Sequence, residues 1–365
     1  MSMLQTLVHR LSLPALAVDL GTARLRIALP GKGVILDEPS RFLQERSTGR
    51  VIIHSKAIED FLVEDLRLPN QPVWDTDDIV VRQPVVHGML ADVEAAAIRC
   101  REALIQVRHR YWTWRWPAVI VSCPSNIRDF ECWELLRALR EAGALRVTLL
   151  RAAVAAALGA GLLLEPDDVN YIVLIGAGVT ELAVLWGDHI FLGMTLPLGG
   201  EDLALQVIRF VRHTHLLAIS FSAAMDIIQQ VPLTGKIEGA QLLEVTGRDV
   251  RSGRPGTVSI APETVQQMLN SAVRIIGRAA QELLEGIPLS FLANIQRQGV
   301  LLTGGAQIPG LANYLQEAVE LPVITAADPA TCVIRGLAFR LMDQGAQPRS
   351  MRHFHPTISP SVAAR

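Results

Sequence analysis

The sequence predicts an α/β protein of two duplicated domains around a cleft, each carrying a smaller inserted subdomain. Two observations predict this. A strand, a glycine turn and two more strands run Ala15–Asp19, Gly21, Leu25–Leu29 and Val34–Leu36; the pattern returns at Tyr171–Ile175, Gly176–Gly178, Glu181–Leu185 and His189–Leu192. The turns at Gly21 and Gly176 lie 155 residues apart (176 − 21), the mark of an internal duplication. The chain has 365 residues, half of them hydrophobic, which exceeds one ordinary core and suffices for two.

Taken in order, residues 1–14 place Leu4, Leu7, Val8 and Leu11 on one helical face. Such a helix is either a membrane-surface anchor or a cover for the protein's own core. Residues 15–150 form the first domain, with an irregular insertion at about 32–80 marked by Pro69, Pro72 and Asp75–Asp78. A helical pattern follows from Asp92 to Arg108. Trp112, Trp114 and Trp116 then alternate, forming a membrane-interface patch, a protein contact or a hydrophobic edge. The strand Ala118–Ser122, a helix from Phe130 to Gly143 and the strand Val147–Leu150 complete this half, and a small-residue helix at Ala152–Gly161 follows. Residues 151–324 form the second domain, with an insertion at about 200–258. Residues 325–343 return to the first domain, and 344–365 read as a flexible tail.

Composition narrows the function. Lys and Arg number 34 against 36 Asp and Glu, a net charge of −2, which lacks the basic excess of a nucleic-acid binder. The longest uncharged stretch in mid-chain, Ala152–Leu164, falls short of the roughly 18 residues a membrane span requires. The four cysteines show neither metal-ligand nor disulfide spacing, so they read as free thiols of a cytoplasmic protein. Ser122-Cys123-Pro124-Ser125 fits a strand end followed by a helix cap.

Four motifs occur in order: Asp19-Leu-Gly21-Thr22-Ala23, Gly176-Ala177-Gly178-Val-Thr180, Leu198-Gly199-Gly200-Glu201 and Leu302-Thr-Gly304-Gly305-Ala306. Together they resemble the phosphate and adenosine motifs of the actin, Hsp70 and sugar-kinase fold. Gly31–Ser40, His87–Asp92, Glu244–Asp249 and Ala326–Gly336 narrow the resemblance to the bacterial actin MreB family, over about Ala15 to Met342. Glycine turns of this kind let backbone N–H groups approach phosphate oxygens.

The resemblance implies a filament-forming cytoskeletal protein of cell-shape determination, cytoplasmic and peripheral to the inner face of the membrane. It implies self-association, an active MreB paralogue and membrane wall-synthesis proteins as partners, and ATP or ADP with Mg²⁺ as cofactor. The nucleotide residues it implies are Asp19, Gly21, Thr22, Ala23, Arg24, Gly176, Ala177, Gly178, Thr180, Gly199, Gly200, Glu201, Met225, Ile228, Gly304, Gly305, Ala306 and Gln307. Asp19 would hold Mg²⁺ through water.

The chain also departs from the family. Leu174 stands where an Asp is implied, Ala177 replaces a glycine, and Val179 replaces a threonine. A Glu-Glu-Pro that supplies the water-activating carboxylate is matched by Arg151, Ala152 and Ala153. Met225 and Ile228 stand in place of a Glu and a Lys, and Arg24 in place of an Asn. No catalytic carboxylate is expected at these positions, and loss of a positioned acid or base alone removes about 10²–10⁴ of rate. Hydrolysis is therefore expected to be weak or absent. A nucleotide-independent pseudo-actin scaffold is the alternative, and a small-molecule kinase or an Hsp70-like chaperone fits less well.

Overall fold

The computed structural model describes residues 15–52, 78–111, 117–235 and 241–346. The amphipathic segment with Leu4, Leu7, Val8 and Leu11, the Trp112–Trp116 cluster and the tail beyond Ala346 lie outside the described residues.

The first half runs β1 (Ala15–Leu20), β2 (Arg24–Leu29), β3 (Gly33–Pro39), β4 (Phe42–Glu45), β5 (Val51–Ile52), β6 (Ile79–Arg82), β7 (Val85–Val86) and β8 (Met89–Leu90). Helix α1 (Val93–Tyr111), β9 (Ala118–Cys123), α2 (Asp129–Glu141) and β10 (Arg146–Arg151) follow. The second half opens with α3 (Ala152–Gly159), β11 (Val169–Ile175), β12 (Thr180–Trp186), β13 (His189–Leu196), α4 (Gly200–His215) and β14 (Leu217–Ala218). It continues through α5 (Phe221–Gln230), β15 (Leu243–Asp249), β16 (Pro255–Ile260), α6 (Pro262–Glu285), α7 (Leu289–Gln298), β17 (Val300–Thr303), α8 (Leu311–Val319) and β18 (Val323–Thr325). A last helix, α9 (Cys332–Ala346), ends the described chain.

The two main sheets share one topology. Their orders are β10-β9-β1-β2-β3 and, read in the same sense, β18-β17-β11-β12-β13. In each, the central strand pairs antiparallel with the hairpin strand that follows it and parallel with a later crossover strand: β1 with β2 and β9, β11 with β12 and β17. The central strand β11, Val-Asn-Tyr-Ile-Val-Leu-Ile, is buried along its whole length, as a strand covered on both faces must be. Strand β3 belongs to the main sheet, so the smaller subdomain sheet (β5-β4-β6) begins at Phe42, ten residues beyond the boundary that composition suggests. Helix α9 likewise runs on to Ala346, past the expected start of the tail.

Helices α3 and α9 pack against each other between the two sheets. Ala153, Val154, Ala155, Ala156 and Ala157 of α3 are fully buried, and Ile334 and Leu337 of α9 are equally inaccessible. The crossing is close enough that a Cβ on Gly159 would stand 1.7 Å from the Cys332 carbonyl oxygen, and one on Gly336 1.8 Å from that of Ala155. Glycine at both positions is what allows the backbones to touch. Residues Ala17, Ala28 and Ile120 of the first sheet share a buried cluster with this pair. Ile172, Leu174 and Leu301 of the second sheet cover its other side.

Candidate functional site

The site lies where the two glycine turns meet. Gly21 N–H donates to the Arg24 carbonyl at 3.0 Å, and Gly176 N–H to that of Val179 at 2.7 Å, closing two tight hairpin turns. The turns touch: a Cβ on Gly178 would lie 2.8 Å from Thr22 Cγ2, so only glycine admits this approach. His87 Nδ1 lies 2.8 Å from the Gly178 carbonyl, and Gly88 N–H donates to Thr22 Oγ1 at 3.0 Å.

The remaining motif residues converge here, several of them already engaged. Gly200 and Glu201, at the start of α4, donate their N–H groups to the Gly176 and Ala177 carbonyls at 3.0 and 2.7 Å. Gly199 N–H donates to Asp202 Oδ2 at 2.7 Å. Gly304 N–H donates to Pro329 and Ala306 N–H to Ile175, while Gly305 faces open space. The Gln307 carbonyl accepts from the Gln229 amide, and the Ala23 carbonyl accepts from Ser40 N–H at 2.9 Å.

Some expectations need correction. Thr180 is fully buried and its hydroxyl donates to the Leu198 carbonyl at 2.7 Å, so it offers no donor to a phosphate. Ile228 is buried in the second-domain core and Met225 packs against that core, because α5 turns its apolar face inward. Neither presents a polar group. Arg24 pairs with Asp37 at 2.8 Å. Helix α2 begins at Asp129, and Ser125 caps nothing: its hydroxyl and its N–H, at 2.8 Å, both donate to Glu181 of the opposite domain.

Glu181 is a carboxylate at the junction of the two halves that the motifs do not mark, because its partner Ser125 lies 56 residues away. It is 3% exposed, and strand register sets it directly opposite Leu174. Burial, the largest influence, pushes its carboxyl above the usual carboxylate range, against the hydrogen bonds from Ser125. The folded state thus keeps this proton to higher pH than the unfolded chain. The stability it contributes is full below about pH 4.5 and is lost as pH rises through the elevated folded value. Glu181→Gln is therefore expected to gain on the parent protein as pH rises from 4.5, read as the difference between their thermal midpoints. A difference that stays constant with pH would refute the assignment.

Another cross-domain tie is an ion pair. Arg41 Nη1 and Nη2 donate to Glu201 Oε1 and Oε2 at 2.8 and 2.6 Å, with both side chains nearly inaccessible. Glu201, expected to face nucleotide, is held by this fork.

Leu174 and Ala152, where carboxylates are implied, are 7% and 8% exposed and share one apolar cluster. Arg151 Nη1 donates to the Pro124 carbonyl at 3.1 Å. Asp19 accepts from Ser122 Oγ at 2.7 Å, and Arg26 Nη1 stands 4.0 Å from its other oxygen. Burial raises the Asp19 carboxyl, partly offset by Ser122 and Arg26. Among the described residues no group of three His, Cys, Asp or Glu side chains is placed to hold a metal ion. A hydrated Mg²⁺ beside phosphates needs only one or two carboxylates to accept from its waters, and Asp19, with Arg26 4.0 Å from its second oxygen, is the residue here that could do so.

The family model for the MreB/Mbl protein matches residues 14–347. The cell shape-determining protein Mbl of Bacillus subtilis (strain 168) is 28% identical over 335 residues, covering 92% of this chain and 97% of that protein. The cell shape-determining protein MreB of Escherichia coli (strain K12) is 28% identical over 325 residues, 88% of this chain and 91% of its own length. The crystal structure of MreB5 of Spiroplasma citri bound to ADP superposes with a TM-score of 0.79 at 28% identity, covering 92% of this chain and 98% of that one. The MamK double helical filament, at 19% identity and a TM-score of 0.70, shares the fold. The matched residues span both glycine turns and both main sheets, and the chain belongs to the MreB/Mbl family.

Proposed function

We propose that this chain is a cytoskeletal subunit of cell-shape determination, one that assembles with copies of itself and holds a nucleotide between its glycine turns with little or no hydrolysis. The carrying observation is the family match over residues 14–347, which takes in both turns. Relatives solved with ADP and AMPPNP, and one solved as a filament, support the nucleotide and the self-association. Low turnover follows from Leu174 and Ala152, since neither side chain can orient water or a metal.

Mg²⁺, held through water by Asp19 beside the phosphates, is part of this reading. A place at the inner face of the cell membrane, with wall-synthesis proteins and a more active paralogue as partners, belongs to the same reading. No helix among the described residues is long and apolar enough to cross a membrane.

Sedimentation with negative-stain microscopy tests this, run without nucleotide, with ATP and with ADP. The expected result is filaments with ATP and ADP alike, since assembly does not wait on a hydrolytic step. A monomer under every nucleotide, salt and lipid condition overturns the filament reading. It would leave the pseudo-actin module that acts through a partner, a reading the ready-made contacts across the cleft favour.

A further inference from the structure

An apolar groove of about 410 Å³ opens on the first sheet, at the opposite end of β2 from the Gly21 turn. It runs between the β2–β3 turn and the crossing of α3 with α9. Val34, Leu162, Leu163, Phe339 and Met342 line it, and Arg335 is the one charged residue in its lining among the described residues. Val34, Leu163, Phe339 and Met342 are exposed. Helix α9 accounts for two of these. Its residues Ile334, Leu337 and Ala338 turn into the buried cluster, which leaves Arg335, Phe339 and Met342 on the outward stripe. The outward stripe of a helix is ordinarily polar. This one offers a phenyl ring and a thioether.

The chain enters the first sheet beside this groove. Register sets Ala17 opposite Ala28 and Ala28 opposite Val34, so β1 begins at the end where Gly31 and Gly33 turn β2 into β3. Ala17 and Ala28 share a buried cluster with α9, so the groove lies on their face of the sheet. Immediately upstream stand Leu4, Leu7, Val8 and Leu11, spaced as one helical face. As a helix, residues 4–11 would be about 12 Å long. Ser12, Leu13 and Pro14 join them to β1 and reach about 10 Å at full extension, enough to turn back onto the groove. The other end of the chain, residues 347–365, has no such stripe and is broken by Pro348, Pro356 and Pro360.

We infer that residues 4–11 form a helix seated in this groove, its apolar face against Leu163, Phe339 and Met342. Those four apolar side chains are then stowed, and a bilayer can take them only after release. The release step rests on the proposed place at the membrane; the docking does not.

The probe is p-benzoylphenylalanine in place of Phe339, a photocrosslinker of similar shape, in the full chain without lipid. Irradiation and peptide mapping are expected to join position 339 to residues 4–11 of the same chain. A mixture of isotope-labelled and unlabelled protein separates this product from a bond between two copies. Leu7→Asp is expected to lower its yield by about tenfold or more, since a carboxylate would have to enter an apolar groove, with the circular dichroism of the parent. Products at residues 347–365 or on a second copy, or none at residues 4–11, overturn the docking. Phe339→Asp is expected to bind vesicles of phosphatidylglycerol and phosphatidylethanolamine about tenfold more tightly than the parent, because a segment free only a tenth of the time binds with a tenth of its intrinsic strength. If the crosslink forms and a folded Phe339→Asp binds vesicles no better, the release step alone fails. Absence of vesicle binding in both proteins overturns the membrane reading and leaves the docking in place.

Discussion

Gly336→Ala is expected to destabilise the protein by about 3 kcal/mol or more, the upper range for forcing volume into a packed interior. The added Cβ would lie 1.8 Å from a backbone carbonyl oxygen of α3, not from a side chain that could swing away. Relief requires the two helices to part. They are joined along their length, and Ala155, Ala156, Ile334 and Leu337 have no exposed surface from which to yield. Ala ordinarily improves a helix over Gly by about 1 kcal/mol. Here that gain is smaller than the steric cost, so the sign is opposite to the usual helix-interior result. Denaturant unfolding followed by tryptophan fluorescence would read the effect. An unchanged or raised midpoint would show that the crossing is looser than described. Gly159→Ala, which places its Cβ 1.7 Å from Cys332 O, should behave alike.

Arg41→Ala is expected to cost about 3–5 kcal/mol, because it strands the Glu201 carboxylate without its partner in a nearly waterless position. The pair itself is worth far less than that figure, since desolvating both ions offsets most of their attraction. A double-mutant cycle with Glu201→Ala separates the two quantities: the double variant should be more stable than Arg41→Ala alone. Arg41 also meets Gln83, whose amide oxygen, once turned toward it, accepts at 2.8 and 3.1 Å, so the truncation unsettles a second group. The pair joins the smaller subdomain to the start of α4. Arg41→Ala is thus expected to increase proteolysis within the subdomain as well. A variant as stable as the parent would place the fork in solvent.

Much of this was legible in the sequence. The repeated strand, turn and strand gives both sheets, because strand periodicity and glycine turns are local properties. The apolar replacements at Leu174 and Ala152 were visible too, and their packing into one cluster explains why they tolerate each other. Cross-domain partners were not legible. Ser125 reads as a helix cap by its neighbours, yet it donates to Glu181, 56 residues away. Thr180 reads as a phosphate donor by its motif, yet strand register turns it toward the Leu198 carbonyl. Arg26 carried no motif at all; only the pairing of β1 with β2 sets it across from Asp19. In each case the deciding contact comes from sheet register or from docking of the two halves, which no local pattern encodes.

The apolar seam of Leu174 and Ala152 bears on time as well as on chemistry. A filament whose subunits cleave their nucleotide ages: old subunits differ from new ones, and disassembly can be told where to begin. On the proposed reading of little or no hydrolysis, a subunit with no carboxylate at either position runs such a clock slowly or not at all. In a polymer built on that reading, old and new subunits would look alike to their neighbours. Its length would then be set by free concentration and by whatever other molecules bind its ends or sides.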